Sequence, residues 1–244
     1  MRTVRLLIGF EGNRYEGWQS QKKDRTVQEV FERILHRLFK QKTDLISSSR
    51  TDSGVHALGL AAHFRTASRL PDKKIKDALN FYLPRDIVVL AAKTVDGRFH
   101  ARYSAKAKLY RYDIWRSPTR PLREAPYALW HPGALDLARM RLAARHFVGT
   151  HDFRSFQDGK DEGKSTIRTI RGIRISKKGV LIRIEVTGNG FLRHMVRVIA
   201  GTLLEAGKKR LPADRIPAIL SAKDRKKAGP TAKSHGLTLV KVSY

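Results

Sequence analysis

The sequence predicts an α+β fold of two similar domains, each with a mainly antiparallel sheet flanked by helices. Short runs in which apolar and polar residues alternate, typical of half-buried strands, are interspersed with segments of helical spacing. These runs form two similar sets that divide near Ala105, so we expect domains at 1–104 and 105–244. The boundary has only a weak linker signal, which leaves open whether the halves share one continuous sheet.

The first half predicts four strands and two helices. The expected strands are residues 3–10, 44–49, 59–66 and 86–95. Apolar residues recur at helical spacing from Val27 to Phe39, and Thr26 with Glu29 has the pattern of a capping box before that helix. A second helix is expected over 71–82, with Pro71 near its start.

The second half repeats this order of strand and helix. Strands are expected at 109–116 and 236–244, and a hairpin at 166–188 with its turn at Lys178–Gly179. Helices are expected at 134–148, 190–207 and 211–222. Asn189 is the candidate N-cap of the helix at 190–207, which is apolar on most of its faces.

The composition is strongly basic and points to a polyanionic partner. Lys and Arg number 50 against 22 Asp and Glu, for a net charge of +28 and a pI near 10.9. Nucleic acid is the first candidate, because each neutralised phosphate releases counterions, and an anionic membrane surface is the second. A soluble surface alone needs far less excess charge.

Other features of the composition narrow the class of protein. Apolar residues make up 41 % of the chain, which is enough for packed cores and excludes a disordered basic tail. The absence of cysteine excludes disulfides and thiolate metal sites and fits a reducing cytoplasm. The opening apolar run is too short for a signal peptide, and no uncharged stretch approaches the roughly 18 residues that span a bilayer. We therefore expect a cytoplasmic protein that does not enter membranes.

The nine histidines do not have the spacing of a metal site. None stands four residues from another, and no His-Glu-x-x-His motif is present. His56 and His63 are seven residues apart, and ordinary packing or RNA contact accounts for them. Gly-rich motifs for ATP or dinucleotides are also missing, so we expect neither a metal nor a nucleotide cofactor.

Asp52 is an isolated carboxylate beside a long uncharged stretch. It lies two residues after Arg50, and residues 53–64 contain no Asp, Glu, Lys or Arg. One interpretation is a turn, because Asp and Ser favour turns and Gly54 permits a positive φ. The other is a catalytic acid in a partly desolvated cleft, held ionised by a cation such as Arg50 or Arg197.

Arg197 lies within the apolar helix predicted at 190–207. It is four residues from Arg193, so both should share one helical face. If Arg197 is buried it needs a carboxylate or phosphate partner, since arginine keeps its charge in proteins, and the helix offers no acid before Glu205. The alternative is an exposed stripe that carries both arginines.

Eight short segments, in order, resemble the tRNA pseudouridine synthase A family. The segment Ser49–Ala57, "SRTDSGVHA", is similar to the family's signature. The others, which extend the resemblance over nearly the whole chain, are Tyr15–Gln21, Leu79–Ile87, Phe99–Ala105, Lys108–Tyr112, Gly149–Phe156, Gly188–Arg197 and Gly236–Tyr244. Departures are small: Phe10-Glu11 stands where Tyr-Asp is usual, and Lys233-Ser234-His235 stands where prolines are common.

The resemblance implies a homodimeric enzyme that converts uridine to pseudouridine in the anticodon stem-loop of tRNA, at standard positions 38–40. It implies two α+β domains around a basic cleft, with no cofactor and no essential metal. The family's aspartate falls on Asp52, its base-contacting tyrosine on Tyr110 and its arginine on Arg197. We expect Asp52 and Arg197 to be catalytic, and Tyr110, Arg50 and His56 to bind the substrate.

A non-enzymatic RNA-binding protein, such as an RNA chaperone, is the alternative. The charge, the aromatic residues and the fold suit it equally well, and a DNA-binding protein is a weaker third option. Only the combination of Asp52, Tyr110 and Arg197 favours the enzyme.

Overall fold

Two units make up the chain. The computed structural model describes residues 1–21, 25–158 and 165–244. The first unit consists of Met1–Lys106 with Thr238–Tyr244, and the second consists of Ala107–Leu237. The division of the protein into domains at 1–104 and 105–244 stays a prediction.

Among the residues that the structure describes, five strands belong to the first unit. They are β1 (Arg2–Phe10), β2 (Ile46–Ser47), β3 (His56–Thr66), β4 (Ile87–Val95) and β10 (Leu237–Ser243). The order is β4-β1-β3-β10, and β2 pairs with β3. β1 is antiparallel to both β3 and β4, whereas β10 is parallel to β3. Val4, Leu6 and Ile8 of β1 are fully buried, so one face of this central strand supplies the core.

Two helices belong to this unit, α1 (Val27–Phe39) and α2 (Asp72–Tyr82). The side chain of Thr26 accepts a hydrogen bond from the N–H of Glu29 at 3.3 Å, which caps α1 as the sequence predicts. One face of α1 is apolar and buried, as its helical spacing predicts. It consists of Val27, Val30, Phe31, Ile34 and Leu35.

Five further strands belong to the described residues of the second unit. They are β5 (Ala107–Arg116), β6 (Leu129–His131), β7 (Gly149–Asp152), β8 (Ile167–Lys178) and β9 (Leu181–Gly188). The order is β5-β9-β8-β7, and β6 runs parallel to β5. The β8–β9 hairpin turns at residues 179–180, one residue later than the sequence predicts.

Three helices complete the second unit: α3 (Leu137–Arg145), α4 (Met195–Gly207) and α5 (Arg215–Ala222). Eleven of the thirteen residues of α4 are buried, so α4 is the core helix that its apolar sequence predicts. Asp136 caps α3 by accepting a hydrogen bond from the N–H of Arg139 at 3.0 Å.

The α+β class and most predicted elements are confirmed, but the predicted start of α4 is wrong. The helix begins at Met195 after His194, which has a left-handed φ of 59°, and Asn189 is not its N-cap. Asn189 instead continues the strand pairing, because its N–H donates to the carbonyl oxygen of Thr169 and its Oδ1 accepts from the N–H of Thr169, both at 3.0 Å. Arg193 therefore precedes the helix and does not share a helical face with Arg197. The short strands β6 and β7 were not predicted.

Candidate active site

Asp52 lies in the loop that joins β2 to β3. The N–H of Val55 donates to the carbonyl oxygen of Asp52 at 3.1 Å, and Gly54 has a φ of +76°. The turn predicted for this segment is therefore confirmed. Asp52 is half-buried and Ser53 is exposed, so the turn presents the carboxylate at the edge of solvent. A large substrate can therefore reach the acid at this position.

A second segment of the first unit holds this loop in place. The N–H of Gly54 donates to the carbonyl oxygen of Tyr15 at 3.3 Å, and the N–H of Trp18 donates to that of Thr51 at 3.1 Å. A Cβ on Gly17 would lie only 2.5 Å from the carbonyl oxygen of Thr51, so the two backbones approach too closely for any side chain. The loop that carries Asp52 is thus fixed on both sides of the acid.

Tyr15 and Trp18 anchor that supporting segment in the core. Both are buried, with 2 % and 1 % of their surface exposed. The Tyr15 hydroxyl donates to Oδ1 of Asp86 at 2.7 Å, and burial together with the Asp86 carboxylate raises the pKa of Tyr15 to about 12. The Arg25 guanidinium carbon lies 5.1 Å from the centre of the Tyr15 ring. The buried aromatic side chains of Tyr15 and Trp18 therefore give the Asp52 loop a rigid support.

Arg50 and His56, the two predicted substrate-binding residues near Asp52, differ in accessibility. Arg50 is exposed. His56 has only 4 % of its surface exposed, and its Nδ1 accepts a hydrogen bond from the N–H of Gly12 at 3.1 Å. That contact gives His56 a role in holding the Gly12 segment against the start of β3. Direct RNA binding by either residue stays a prediction.

Tyr110 lies on β5 of the second unit, opposite Val186 of β9. Its side chain is 7 % exposed, and the edge of its ring meets the ring of Phe191, with centroids 5.2 Å apart and planes at 85°. Tyr112, two residues on, is fully buried and donates from its hydroxyl to the carbonyl oxygen of Lys233 at 2.9 Å. Phe191 thus packs against Tyr110, and the sequence did not predict this contact.

Arg197 is half-buried in the first turn of α4, between the two alternatives that the sequence left open. Its Nε donates to the carbonyl oxygen of Ala232 at 2.8 Å, and the N–H of Ala232 donates to the carbonyl oxygen of Arg197 at 3.1 Å. The charge also lies near Tyr112, where it opposes the rise in the pKa of that tyrosine that burial causes. Arg197 is therefore held at a fixed place by the loop before β10.

A hydrogen-bonded chain extends this support to the start of α4. Asp158 is linked through Oδ2 to Nδ1 of His194 and to the hydroxyl of Thr231, both at 3.2 Å. The hydrogen bond with His194 holds the pKa of Asp158 below its usual range. Arg225 donates to the carbonyl oxygen of Gly229 at 2.9 Å and to the Thr231 hydroxyl at 2.8 Å. The loop that contacts Arg197 is thus held at several points.

The predicted site residues divide between the two units. Asp52, Arg50 and His56 belong to the first unit, and Tyr110 and Arg197 to the second. The predicted pairing of Arg197 with Asp52 stays a prediction.

Sequence reasoning missed the residues that support the acid and the arginine, namely Tyr15, Gly17 and Ala232. Two of them lie within the segment Tyr15–Gln21 that resembles the family, so a signal existed. The contact of Ala232 with Arg197 joins residues 35 positions apart and left no local pattern.

Within residues 1–21, 25–158 and 165–244, no group of three or more His, Asp or Glu side chains is arranged to hold a metal ion. Over the same residues, no helix has the length and apolar character needed to cross a membrane.

Comparison with known proteins assigns the chain to a family. The family model described as tRNA pseudouridine synthase matches residues 7–104 and 143–244. A protein of Acetivibrio thermocellus named tRNA pseudouridine synthase A is 46 % identical over 246 residues, covering all of both chains. Proteins of the same name from Ruminiclostridium cellulolyticum and Geobacillus kaustophilus are 45 % and 44 % identical over all of this chain and over 100 % and 95 % of their own. The chain belongs to the tRNA pseudouridine synthase family.

Proposed function

We propose that this chain is a tRNA pseudouridine synthase that converts uridine to pseudouridine in the anticodon stem-loop of tRNA, at standard positions 38–40. Membership of the family supports the reaction and the tRNA substrate. The observation that carries the proposal is the Asp52 loop, in which a half-buried carboxylate lies at the edge of solvent on a firmly supported turn.

Asp52 is the proposed nucleophile. The reaction breaks the N1–C1′ bond of uridine, turns the uracil and joins it again through C5, while C5 loses a proton and N1 gains one. The atoms of substrate and product are the same, so the reaction needs no oxidant, reductant or group donor. It needs a group that adds to the substrate and leaves again, and an ionised carboxylate does both.

The hydrogen bonds that hold the Asp52 loop in place suit the role of Asp52 as a nucleophile. A nucleophile must be held within a fraction of an ångström of its productive position, since small displacements are costly in rate. The backbone hydrogen bonds from Trp18 to Thr51 and from Gly54 to Tyr15 fix the residues on either side of Asp52. The small residues Ser53 and Gly54 leave room for an RNA backbone to approach.

Tyr110 and Arg197 are proposed to serve the same reaction from the second unit. The target nucleotide must leave its stack, at a cost of a few kcal/mol, and contact with an aromatic ring such as Tyr110 offsets part of this cost. Arg197 is proposed to pair with Asp52 and keep it ionised. Its Nε is held by Ala232, which supports a fixed direction for the rest of the guanidinium group.

We further propose that Arg50 and His56 contribute to substrate binding, Arg50 through its exposed guanidinium and His56 through its hold on Gly12. The protein acts as a cytoplasmic homodimer without cofactor or metal. These statements rest on the resemblance to the family, on the balance of the reaction and on the high positive charge.

Release of tritium from tRNA labelled at C5 of uridine tests the function. The proton at C5 is lost when the new bond forms, so the purified chain should release tritium in step with the pseudouridine mapped at positions 38–40. Binding of tRNA with no release above background would favour an RNA chaperone and would contradict the enzymatic proposal.

A further inference from the structure

Among the residues that the structure describes, the lining of a groove beside α1 contains three arginines and no carboxylate. The groove encloses about 360 Å³ and is bounded by α1 and the last residue of α2. Apolar side chains form part of it, and charged or aromatic side chains form the remainder. Its lining consists of Val30, Ile34 and Pro84, with Arg25, Arg33, Arg37 and Tyr82. We call it the arginine groove.

Two of these arginines are held by aromatic rings. The guanidinium carbon of Arg37 lies 4.4 Å from the centre of the Tyr82 ring, and that of Arg25 lies 5.1 Å from the centre of the Tyr15 ring. Contact with a ring face leaves the N–H groups at the guanidinium edge of Arg37 to bind an anion, and it reduces the freedom that binding would remove. Arg25 also donates a hydrogen bond to the Tyr15 side chain. The groove is therefore prepared for an anionic ligand.

α1 carries two acids: Glu29 is exposed and stands four residues before Arg33, whereas Glu32 is directed to other partners. Oε1 of Glu32 accepts hydrogen bonds from the side chain of Gln28 at 2.8 Å and from the N–H of Leu45 at 3.3 Å. Arg33 and Arg37 are exposed, and over the part of the chain that the structure describes neither makes an ion pair. Like charges at i, i+4 of a helix repel one another, so an anion in the groove would relieve this repulsion.

Tyr15, a buried residue, contacts both Arg25 of the arginine groove and the Asp52 loop. Tyr15 supports Arg25 with its ring and accepts the N–H of Gly54 with its carbonyl oxygen. Along α1 the groove runs from Val30 to Arg37, a length of roughly 10 Å at 1.5 Å per residue. This length matches several phosphates along one strand of a nucleic-acid duplex, which are spaced about 3.4 Å apart along the axis.

Exposed aromatic rings beside the groove favour RNA over a lipid surface. Phe81 is 80 % exposed, and its ring packs edge-on against that of Tyr82 at 5.0 Å. Aromatic rings next to a basic groove are typical of sites that bind a phosphate backbone and stack bases. A concave groove also suits a strand of RNA better than a flat membrane.

We propose that the arginine groove binds the sugar–phosphate backbone of the substrate RNA and leads it to the Asp52 loop. This inference rests on the proposed function, because it takes the RNA at Asp52 as the occupant. It assigns Arg25, Arg33 and Arg37 to phosphate contacts, and Tyr82 to the positioning of Arg37.

The test compares two double variants of equal charge. Arg33→Gln with Arg37→Gln removes two groove cations, and Lys73→Gln with Lys74→Gln removes two exposed cations of α2 that do not line the groove. Affinity for tRNA is measured from 50 to 300 mM salt, with thermal unfolding as the check on folding. Single-turnover pseudouridine formation at subsaturating tRNA is measured beside it.

The groove variant should bind tRNA at least tenfold more weakly near physiological salt, and its log–log salt slope should be shallower by about 1.4 to 1.8, since each phosphate contact contributes about 0.7 to 0.9. The α2 variant should stay close to the unmodified chain in both respects. At subsaturating tRNA the groove variant should also form pseudouridine more slowly, in step with its weaker binding.

Equal losses in the two variants, or an unchanged slope in the groove variant, would overturn the proposal. So would a groove variant that keeps its affinity for tRNA but no longer binds vesicles of anionic lipid. An unmodified chain that binds tRNA and forms no pseudouridine would refute the proposed function instead, since the binding data do not depend on turnover.

Discussion

Arg197 and Ala232 exchange two hydrogen bonds. The Nε of Arg197 donates to the carbonyl oxygen of Ala232 at 2.8 Å, and the N–H of Ala232 donates to the carbonyl oxygen of Arg197 at 3.1 Å. The loop before β10 is thereby tied to both the side chain and the backbone of the first turn of α4. Any change that moves this loop should also move the guanidinium group.

Gly201→Ala should displace that loop. A Cβ at Gly201 would lie 1.8 Å from the carbonyl oxygen of Pro230, and backbone atoms must shift to admit it. We expect a loss of about 1–3 kcal/mol in the free energy of unfolding, as overpacking usually costs, and a fall in turnover that exceeds any change in tRNA affinity. Gly172→Ala is the control, because no atom lies within 4 Å of its Cβ position. Equal behaviour of the two variants in urea unfolding and in turnover would show that the loop does not position Arg197.

The Asp158–His194 contact should make stability depend on pH. The hydrogen bond with His194 lowers the pKa of Asp158, so the folded state favours the ionised carboxylate. A lowered folded-state pKa contributes stability above the unfolded-state pKa of about 4, and this contribution is lost as the pH falls through the folded value. Asp158→Asn should therefore be less stable than the unmodified chain near pH 6, with a difference that narrows below about pH 4. A difference that stays constant from pH 6 to pH 3 in chemical unfolding would contradict this account.

Tyr110→Phe should reduce turnover only modestly. The ring that faces Phe191 remains, and only the hydroxyl is lost. Loss of one hydrogen bond corresponds to about 1 kcal/mol, so we expect a loss of up to about tenfold in single-turnover rate and unchanged tRNA affinity. Tyr110→Ala, which also removes the ring, should lose far more. If both variants lost the same rate, the hydroxyl and not the ring would be the essential part of Tyr110.

The protein should be a homodimer in solution. A two-fold pair lets one tRNA lie across both subunits while one of them supplies the active site. Light scattering at micromolar concentration should therefore give about twice the chain mass of 27.8 kDa. A mass that stays at one chain over this range would rule out the dimer.

Local sequence patterns predicted the helices, strands and turns well. They predicted poorly the contacts between distant residues that hold these elements in place. The capping of α1 by Thr26 and the turn at Asp52 depend on residues within a few positions of one another, and both were predicted. The start of α4 was not, because Phe191 and Leu192 before it are apolar like most residues of the helix itself. His194 and the pairing of Asn189 with Thr169 decide the boundary, and Thr169 lies on a different strand.

In the candidate site, too, the sequence identified the individual residues but not the contacts around them. Asp52 was recognisable as an isolated acid in a basic chain, and Arg197 as a charge in an apolar helix. Their surroundings depend on tertiary contacts, such as Gly17 against Thr51 and Arg197 against Ala232, that no spacing in the sequence reveals. The half-buried state of Arg197 is a result of this kind, since the sequence left burial and exposure equally open.

Single-turnover pseudouridine formation by Asp52→Asn tests the central claim most directly. Asn has nearly the shape of Asp and forms the same side-chain turn, so the variant keeps the loop and loses only the nucleophile. Asp44→Asn, at an exposed acid just before β2, is the matched control. The account predicts that Asp52→Asn falls about 10⁴-fold or more in rate while its tRNA affinity stays near normal, because phosphate contacts supply most of the binding, and that Asp44→Asn keeps both. Near-normal turnover by Asp52→Asn would contradict the assignment of Asp52 as the nucleophile.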